Sequence, residues 1–367
     1  MRVLYFSRDY TPHDHRFLAA MAENGIQAFY LRLERRGHPQ EDRILPVGVT
    51  TVKWEGGQQP FDHRDHRRLL SSLKSVIKSI KPDLIHAGPV QTAGWLAAQS
   101  RFHPLVTMSW GSDLLVDADS SPQMRRLTEF TLGKTDVLIG DCEAVRQKGI
   151  SFGVPSSRIV TFPWGVDLEH FSPADGESAV RDRAGWQEGF VVLHTRSWEP
   201  VYGADVLARA FAQAAVQQPD LRLFLLANGS MAPEIRKTLM PVMHQVQFVG
   251  QVNHERLPEY YRASDLYVSA SHSDGSSVSL MEALACGLPG LVSDIPGNRE
   301  WLEGSQAGWL FPDGDAAALA QGILWAAARR EELRENARHA RQMAEERANW
   351  HENIKKLLSA YQLALDV

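Results

Sequence analysis

Short apolar runs alternate with amphipathic segments from the start of the chain. Residues 3–7 form an apolar run typical of a buried strand, residues 17–24 have helical periodicity and stop at Gly25, and residues 26–31 are apolar again. A strand, a helix and a second strand in this order predict the opening of a parallel sheet. The same analysis predicts further strands and helices in the first half of the chain, at residues 69–80, 83–86, 92–99, 105–109 and 137–140.

The second half of the chain repeats this alternation. It contains apolar runs that predict strands and amphipathic segments that predict helices, at residues 191–195, 203–215, 221–227, 231–239, 246–249, 257–263 and 266–269. Between the halves, residues 159–173 carry two prolines and a glycine and predict an irregular connection. The chain is therefore predicted to be an α/β protein with two Rossmann-like domains.

Length and composition are those of a globular protein with two domains. The chain has 367 residues, of which 44% are hydrophobic and 23% charged. Its two cysteines, Cys142 and Cys286, are far apart in the sequence, which favours a reduced compartment such as the cytosol. The apolar run at the N-terminus is too short for a signal peptide, and no apolar run is long enough to span a bilayer. We expect a cytoplasmic protein, or one that binds peripherally to the inner face of a membrane.

The net charge of −5 is unevenly divided, since the first 170 residues are slightly basic and the remainder is acidic. Within the basic part, residues 64–81 combine an apolar stripe with six cations, Arg64, Arg67, Arg68, Lys74, Lys78 and Lys81. A basic amphipathic helix can bind an anionic membrane, although the same pattern is typical of a helix that covers a sheet. Nucleic-acid binding is not expected, because the net charge is negative and no reader motif is found.

The most informative segment for function is residues 271–289. It predicts the end of a strand, a turn of small residues and a short helix that Gly287 and a following proline terminate. Ser276 and Ser277 are candidate N-caps of this helix. The amides of its first turn, including that of Val278, are suited to bind a phosphate because they lie at the positive end of the helix dipole.

Two carboxylates flank this turn. Asp274 precedes it, Gly275 lets a ligand approach the backbone closely, and Glu282 lies one to two turns into the helix. A carboxylate at Glu282 would repel a phosphate but could accept hydrogen bonds from sugar hydroxyls. One ligand with both hydroxyls and a diphosphate would satisfy the whole segment. The alternative is an ordinary capped helix with surface carboxylates.

A cation follows the first strand of the second half. Arg196 comes directly after residues 191–195, and the carboxyl ends of parallel strands deliver ligand-binding groups. A guanidinium at such a position can bind a diphosphate through two parallel hydrogen bonds. A surface ion pair is the alternative interpretation of Arg196.

Residues 274–289 resemble the signature of the retaining glycosyltransferases of family 4. In that signature an acidic residue, a glycine, six further residues and a glutamate precede an Ala-(Leu/Met)-Ala-Cys-Gly-(Leu/Ile)-Pro run. Asp274 stands where the family usually has glutamate. Residues 165–173 also match the Gly-Val-Asp-x-x-x-Phe-x-Pro pattern that marks the crossing between domains in this family. The resemblance implies the GT-B fold, with two facing Rossmann-like domains and an active site in the cleft between them.

The resemblance also implies where the domains begin and end. Residues 1–165 would form the acceptor-binding domain, and residues 173–344 would form the domain that binds the nucleotide-sugar donor. A C-terminal helix at about residues 345–367 is expected to pack back on the first domain.

Roles on the donor side follow from the resemblance. Arg196 matches an arginine that binds the donor diphosphate in the family, whereas Tyr202 stands where the family has a lysine and supplies no charge. For Tyr202, packing against the cleft wall is as good an interpretation as ligand contact. Asp274 is implied to bind hydroxyls of the donor sugar, and Glu282 those of the ribose.

The nucleotide base is expected near a turn in the second domain. Gly250, Gln251 and Val252 match a family segment whose backbone commonly reads the base. Backbone contacts leave no side-chain code for the base, and a simple tight turn is an equally good interpretation. The sequence therefore does not decide the nucleotide, and a UDP-sugar is favoured only weakly.

The acceptor is expected on the first domain. His13 and Asp14 lie in the polar loop after the first strand and are candidates for binding acceptor hydroxyls. Trp110 replaces the histidine of the family's His-Gly-x-Asp segment, and Asp113 matches its aspartate. Tryptophan cannot transfer protons, although it can stack on a sugar. No catalytic histidine is therefore carried over to this chain.

These features predict a retaining hexosyltransferase that moves a sugar from a nucleotide diphosphate sugar to a glycan, a lipid-linked molecule or a small hydroxyl acceptor, as in polysaccharide biosynthesis. Arg196, Asp274 and Glu282 would carry the catalytic roles, and the leaving phosphate would help to deprotonate the acceptor. We expect no metal and no other cofactor, because no cluster with metal-ligand spacing is found. A nucleotide-sugar sensor or scaffold that kept the fold without turnover is the alternative, and a sugar-nucleotide epimerase is a second one.

Overall fold

The structure is a computed structural model that describes residues 1–35, 41, 43–174 and 178–366. This part of the chain divides into two compact units. The first contains Met1–Phe162 together with the described residues from Ile354 onward, and the second contains Pro163–Asn353. Each unit is built on its own parallel sheet. The predicted class, an α/β protein of two Rossmann-like domains, is confirmed.

A seven-stranded parallel sheet forms the first unit, in the order β3-β2-β1-β4-β5-β6-β7. Its strands are β1 (Arg2–Ser7), β2 (Gln27–Arg32), β3 (Thr50–Thr51), β4 (Leu84–Gly88), β5 (Leu105–Met108), β6 (Val137–Gly140) and β7 (Ile159–Thr161). Its α-helices are α1 (Pro12–Glu23), α2 (His66–Ile80), α3 (Trp95–Ser100), α4 (Ser112–Leu115), α5 (Pro122–Leu132) and α6 (Glu143–Ser151).

A six-stranded parallel sheet forms the second unit, in the order β10-β9-β8-β11-β12-β13. Its strands are β8 (Phe190–His194), β9 (Leu221–Leu226), β10 (Val246–Gly250), β11 (Leu266–Ser269), β12 (Gly290–Ser293) and β13 (Gly308–Phe311). Its α-helices are α7 (Ala179–Ala184), α8 (Ala204–Gln217), α9 (Ala232–Leu239), α10 (Leu257–Arg262), α11 (Val278–Ala285), α12 (Pro296–Leu302), α13 (Ala316–Ala327) and α14 (Arg330–Arg347). The last helix, α15 (Trp350–Leu365), begins in the second unit and ends in the first.

Alternate residues of the central strands face two separate apolar layers in the second unit. Phe190 and Val192 of β8 belong to a core with α8 and α13, whereas Val191 and Leu193 belong to a core with α11 and α14. Every residue of β8 and β11 is buried. This burial on both faces explains why these strands are continuous apolar runs in the sequence rather than alternating ones.

The strand order reverses once in each sheet. β1 lies between β2 and β4, and β8 lies between β9 and β11. In the second sheet Leu266 is opposite Val192 and Tyr267 is opposite Leu193, so the carboxyl ends of β8 and β11 are side by side. Ligands of open parallel sheets bind outside the carboxyl ends of the strands at such a reversal. The sheet order alone therefore points to the loops after β8 and β11.

The sequence predicted one C-terminal helix that begins at about residue 345, and the predicted start is wrong. The structure has α14 up to Arg347 and a separate helix, α15, from Trp350. The helix is interrupted because Val166 forms hydrogen bonds with the backbone between α14 and α15. Its N–H donates to Ala348 O at 2.7 Å, and its carbonyl accepts from Trp350 N at 3.1 Å. Sequence periodicity could not show this contact, since it joins residues far apart in the chain.

The basic amphipathic helix predicted at residues 64–81 is present as α2, but its apolar side is not available to a membrane. Leu69, Leu73, Val76 and Ile80 are buried in the core of the first unit. Its cations remain on the outer side, as a helix that covers a sheet requires. Among the helices of the described residues, none combines the length and the apolar character needed to cross a bilayer.

The C-terminal helix is tied to the first sheet by a buried polar contact. Tyr361 of α15 is fully buried, and its hydroxyl lies 2.6 Å from Nδ1 of His86 in β4. Burial lowers the pKa of His86 to about 3, so the ring is neutral in the folded protein. The pair gives Nδ1 of His86 a partner that this buried atom would otherwise lack.

We predict that Tyr361→Phe lowers Tm, because the variant leaves a ring nitrogen of His86 buried without a partner. The free energy of unfolding is expected to fall by about 1–2 kcal/mol. Each kcal/mol corresponds to roughly 2–4 °C of Tm, which thermal unfolding measures. Tyr260→Phe is the control, since no described residue hydrogen-bonds the hydroxyl of Tyr260. Equal Tm values for the two variants would contradict a stabilising role for the contact.

Candidate active site

The candidate site lies at the strand reversal of the second sheet. Arg196 follows the carboxyl end of β8, and Asp274 lies in the loop between β11 and α11. Because β8 and β11 are paired neighbours, these two loops are adjacent although the residues are 78 positions apart in the sequence. The structure thus brings together the two segments that carry the sequence motifs.

Arg196 and Asp274 form a buried ion pair. Nη2 of Arg196 lies 2.8 Å from Oδ2 of Asp274, and the two side chains are only 15% and 17% exposed. The guanidinium also lies over the ring of Tyr202, 4.2 Å from its centroid, where a cation–π contact is favourable. Its Nε is buried with no hydrogen-bond acceptor among the described residues. One edge of the guanidinium is therefore fixed, and a donor group remains for an anion.

The charges of this pair are set by burial and by each other. Burial alone would lower the pKa of Arg196, but the negative charge of Asp274 and neighbouring tyrosines raise it, so the guanidinium stays charged. Burial raises the pKa of the Asp274 carboxyl, and Arg196 opposes that rise. The short distance between the two side chains corresponds to an ion pair. Asp274 therefore positions Arg196, a role that the sequence did not predict.

The N-terminus of α11 is left open to a ligand. Ser277 is its N-cap, but its side chain makes no capping hydrogen bond, and no acidic side chain occupies the first turn. The first amides of an α-helix, here beginning with Val278, have no acceptor within the helix. The side chain of Ser276 is held by α12, because Nε1 of Trp301 donates to its Oγ at 2.8 Å. Anion binding at this turn stays a prediction.

Close backbone contacts fix the loop before α11. A Cβ on Gly297, at the start of α12, would lie 2.2 Å from the carbonyl oxygen of Gly275. A Cβ on Gly203 would lie 1.9 Å from the carbonyl oxygen of Ala270, and Gly203 has φ of +59°. Only glycine fits at both positions. Gly203 holds the segment with Tyr202 against the loop that follows β11.

Glu282 is buried on α11 and held by a tyrosine. Its side chain accepts a hydrogen bond from the hydroxyl of Tyr261 at 2.8 Å, and only 8% of the residue is exposed. The same hydroxyl lies 3.3 Å from Oγ1 of Thr195, the residue directly before Arg196. Tyr261 thus joins the loop after β8 to the helix that carries Glu282.

Tyr261 and Trp301 are the residues that sequence analysis missed. Tyr261 lies in the helix predicted at residues 257–263, whereas Trp301 lies outside the predicted elements, and their polar partners are 21 and 25 residues away. A sequence pattern reports that a side chain is buried, and only the packing of α10 and α12 against α11 determines what its polar atom contacts. The signal that could have found them is the rule that buried Tyr and Trp polar atoms have partners.

The segment predicted to lie near the base follows β10. Gly250 ends that strand with φ of +80°, and its carbonyl accepts from Ala227 N at 2.8 Å. Gln251 is exposed and Val252 half-buried. β9 alone separates β10 from β8, so the segment is about 10 Å from the strand that leads to Arg196, given a spacing of about 4.8 Å between strands. Its contact with a base stays a prediction.

The acceptor-side candidates of the first unit fall into two groups. The ring of His13, in α1, stacks on Trp110 at 5.3 Å between centroids, and both are half-buried. Asp14 is buried instead: its side chain accepts from Thr11 N at 2.8 Å in a capping box and from the hydroxyl of Tyr5 at 3.0 Å. These contacts make Asp14 a structural cap of α1, which the loop prediction had not included.

Asp113 is also buried, and it shapes a loop. Its side chain accepts from Val90 N at 2.9 Å, from the hydroxyl of Ser109 at 2.7 Å and from Trp110 N at 2.9 Å. This geometry favours a role in holding the loop over contact with the acceptor. Asp113 thereby fixes the backbone that presents Trp110.

The described residues contain no group of three or more His, Cys, Asp or Glu side chains suited to hold a metal ion. Two Asp-x-Asp pairs occur in the sequence, at residues 117–119 and 313–315, and three of their four side chains make other contacts. Asp119 pairs with Arg125 and Lys148, while Asp313 contacts His272 and Asp315 caps α13. The expectation of a metal-independent protein stays a prediction.

Two family models match the chain. One is described as "Glycosyl transferases group 1" and matches residues 189–329, within the second unit. The other is described as "Glycosyl transferase 4-like" and matches residues 2–141, within the first. Together the two models cover most of the sequence and include both candidate regions.

Curated relatives with similar sequences are D-inositol 3-phosphate glycosyltransferases. The chain is 28% identical over 293 residues to that of Geodermatophilus obscurus, an alignment that covers 74% of this chain and 64% of the relative. It is 26% identical over 248 residues to that of Streptomyces scabiei, covering 62% of this chain and 56% of the relative. The chain thus spans less than two thirds of the length of these relatives.

Solved structures of similar fold include HepE of Anabaena in complex with UDP, with a TM-score of 0.80, 19% identity and coverage of 99% of this chain and 100% of that one. Sucrose-phosphate synthase of Thermosynechococcus elongatus has a TM-score of 0.81 and 19% identity, with coverage of 99% and 98%. WaaG, a glycosyltransferase of lipopolysaccharide biosynthesis, has a TM-score of 0.75 and 14% identity, with coverage of 99% of both chains. At these identities the likeness establishes the fold alone.

The site also contains a buried histidine whose titration can be tested. His194 ends β8 next to the loop of Arg196, is fully buried, and has Nδ1 3.0 Å from the carbonyl oxygen of Val268. Burial lowers its pKa to about 4. Since an unfolded histidine has a pKa of about 6.5, the unfolded state binds the proton first as the pH falls.

We predict that the wild-type protein loses stability relative to His194→Asn as the pH is lowered from about 7 to about 4. The stabilising contribution of neutral His194 is complete above about pH 6.5 and is lost towards about pH 4, by up to roughly 3 kcal/mol. Chemical denaturation at several pH values measures the difference. Parallel stability curves for the two proteins would show that His194 is not buried as a neutral ring.

Proposed function

Because the chain belongs to the glycosyltransferases of group 1, of the family 4 type, we propose that it transfers a hexosyl-type sugar from a nucleotide diphosphate sugar to a hydroxyl acceptor. The observation that carries this proposal is the site at the strand reversal of the second unit. There a fixed guanidinium, an open helix N-terminus and a buried carboxylate lie on adjacent elements. A diphosphate and a ribose together match this set of groups.

The diphosphate is proposed to bind between Arg196 and the N-terminus of α11. Asp274 holds Nη2 of the guanidinium, and the buried Nε is left without an acceptor among the described residues. The amides after Ser277 add neutral donors at the positive end of a helix dipole. Prepositioned donors of this kind stabilise the charge that develops on the departing phosphate.

Tyr202 affects the number of positive side chains that this site presents to the diphosphate. The ring lies against the guanidinium rather than adding a second cation, so Arg196 is the single positive side chain that the sequence resemblance leaves for the diphosphate. Cation–π contact and the ion pair with Asp274 both restrict its motion. Rigid placement of one arginine is proposed to replace the arginine and lysine of the family pattern.

Glu282 is proposed to bind the ribose hydroxyls. Its side chain is buried, and the hydroxyl of Tyr261 contacts Oε2, so the carboxylate is held in one orientation. Asp274 was predicted to bind hydroxyls of the donor sugar, but its Oδ2 lies against Arg196 and its Oδ1 already accepts from Gly275 N at 3.1 Å. Arg196, Asp274 and Glu282 remain the proposed catalytic set, with Asp274 acting mainly on Arg196.

The donor is proposed to be a UDP-sugar. HepE, which shares the fold, is known in complexes with UDP and with UDP-glucose. The segment of Gly250, Gln251 and Val252 presents backbone groups at the end of β10, where a base could be read without side-chain contacts. We further propose that the anomeric configuration is retained and that no metal takes part.

The acceptor is proposed to bind to the first unit, near the stacked rings of His13 and Trp110. The relatives are named for D-inositol 3-phosphate, so a phosphorylated polyol is a reasonable first acceptor to test beside glycans and lipid-linked sugars. Contact with an anionic membrane would have to be electrostatic, through exposed cations of α2 such as Arg67, Lys74 and Lys78, because its apolar side is buried.

We predict that UDP or another nucleoside diphosphate raises the Tm of the wild-type protein and that Arg196→Ala loses this stabilisation. A ligand at about 100 times its Kd adds roughly 2.7 kcal/mol, and loss of charge-assisted hydrogen bonds of about 1.5–3 kcal/mol weakens binding by roughly 10–100-fold. A thermal-shift panel of UDP, GDP, ADP and their sugar conjugates measures both effects.

The matched control is Arg209→Ala, an exposed arginine on α8 that is paired with Asp205. It should bind the nucleotide as the wild type does. If no member of the panel stabilises the wild type, the donor-site assignment is wrong. If Arg196→Ala binds as tightly as the control, Arg196 does not contact the diphosphate.

We predict that the wild-type protein hydrolyses its donor slowly without an acceptor and that Glu282→Gln reduces this rate by at least about tenfold, since the neutral side chain loses charged hydrogen bonds to the ribose. Rates are measured in the presence of EDTA, where metal-independent turnover should persist. Glu303→Gln, at an exposed position after α12, is the control. Tight donor binding without hydrolysis or transfer to any acceptor would favour the sensor over the enzyme.

A further inference from the structure

The second unit contains a cavity of about 460 Å³ that the proposed reaction does not use. It lies between α10, the C-terminal end of α11 and the middle of α14, and all of its lining residues belong to Pro163–Asn353. Neither Arg196, Asp274 nor the N-terminus of α11 lines it. Its volume is within the range of about 300–1,000 Å³ that is typical of sites for small molecules.

Three arginines line this cavity: Arg262, Arg338 and Arg341. Glu345 is the one carboxylate of the lining, and it is paired with Arg341 at 2.7 Å. No described carboxylate lies within ion-pair distance of Arg262 or Arg338. The lining therefore carries more positive than negative charge, although the unit as a whole lies in the acidic part of the chain.

Two of these arginines are held in place by backbone carbonyls. Nη1 of Arg341 donates to Leu168 O, Phe171 O and Ala285 O at 2.8–3.2 Å. Nε of Arg262 donates to Ser172 O at 2.7 Å. Carbonyl oxygens satisfy N–H donors without cancelling the charge of the guanidinium, so the charge of Arg262 is fixed and uncompensated, whereas Arg341 is fixed and paired with Glu345. Fixed guanidinium groups at the wall of a cavity favour an anion.

The rest of the cavity wall is suited to contact the carbon skeleton of an organic ligand. Pro173 and Leu288 provide apolar surface, Cys286 lies beside them, and Tyr261 is fully buried at the cavity wall. Burial raises the pKa of this thiol to about 12, so it adds no negative charge. Apolar walls with a few converging charged groups are typical of small-molecule sites.

We propose that this cavity is a second ligand site, for a small organic anion such as a phosphate ester or a polycarboxylate. Arg338 and Arg262 contact the anionic group, and the side chains of Pro173 and Leu288 contact the organic part. Tyr261 is shared with the proposed donor site, because its hydroxyl is bonded to Glu282. The test must therefore report where on the protein an anion binds, not only that it binds.

The experiment is hydrogen exchange measured by mass spectrometry on the full-length protein, with ribose 5-phosphate, citrate and uncharged ribose as probes. Ribose 5-phosphate or citrate, at concentrations that saturate a site of millimolar Kd, should slow exchange in peptides that cover residues 285–288 and 337–345. Ribose should not. Protection by only one of the two anions identifies the source of the charge as phosphate or carboxylate and supports the site in either case.

Arg338→Glu should weaken anion binding at least tenfold, as measured by the anion concentration that gives half of the full protection. Arg334→Glu, one turn earlier on α14 and outside the cavity lining, makes the same charge change and should bind as the wild type does. If Arg338→Glu lowers Tm more than Arg334→Glu, the comparison is repeated with Arg338→Gln, which removes the charge without reversing it.

The proposal is overturned if neither anion protects these peptides, or if protection is unchanged in the Arg338 variants. It is also overturned if the anions protect only residues 274–282, since they would then occupy the proposed donor site. The readout does not depend on turnover or on UDP binding. Failure of the proposed function would therefore leave the result for this cavity intact, and the reverse also holds.

Discussion

The parallel pairing of β8 with β11 is the constraint on which the candidate site depends. Without it, Arg196 and Asp274 would be unrelated side chains 78 residues apart. With it, the two strands end side by side at the reversal of the sheet order, and their loops meet. The ion pair is buried because the surrounding loops are packed closely, as Gly203 against Ala270 shows. Breaking one partner of a buried pair is costly, so each residue depends on the other for its conformation.

Around this pair, three elements supply the remaining chemistry. α11 directs its open N-terminus towards the carboxyl ends of the strands, α12 supports Ser276 through Trp301, and α10 supports Glu282 through Tyr261. Each supporting contact is a single hydrogen bond from an aromatic side chain that is otherwise buried in the core. The site is therefore part of the packed interior of the unit, and only its ligand-facing groups differ from ordinary core contacts.

Much of the fold could be predicted from the sequence, because buried parallel strands are continuous apolar runs and the helices between them have clear periodicity. The turn at residues 274–289 was also visible, since glycines, serines and carboxylates occur there at meaningful spacing. Contacts between distant segments could not be predicted. The pairing of Asp274 with Arg196, the support of Glu282 by Tyr261 and the interruption of the last helix by Val166 all depend on tertiary packing. The capping role of Asp14 involves the nearby residues Thr11 and Tyr5, and the sequence analysis did not consider it because it placed Asp14 in a loop.

The most direct test of the central claim is a crystal structure of the protein with UDP. The account predicts that the diphosphate lies within hydrogen-bond distance of the guanidinium of Arg196 and of the amides at the start of α11, with the ribose hydroxyls on Glu282. The ion pair between Arg196 and Asp274 should persist in that complex. A nucleotide bound elsewhere, or one whose diphosphate is held without Arg196 and α11, would contradict the account.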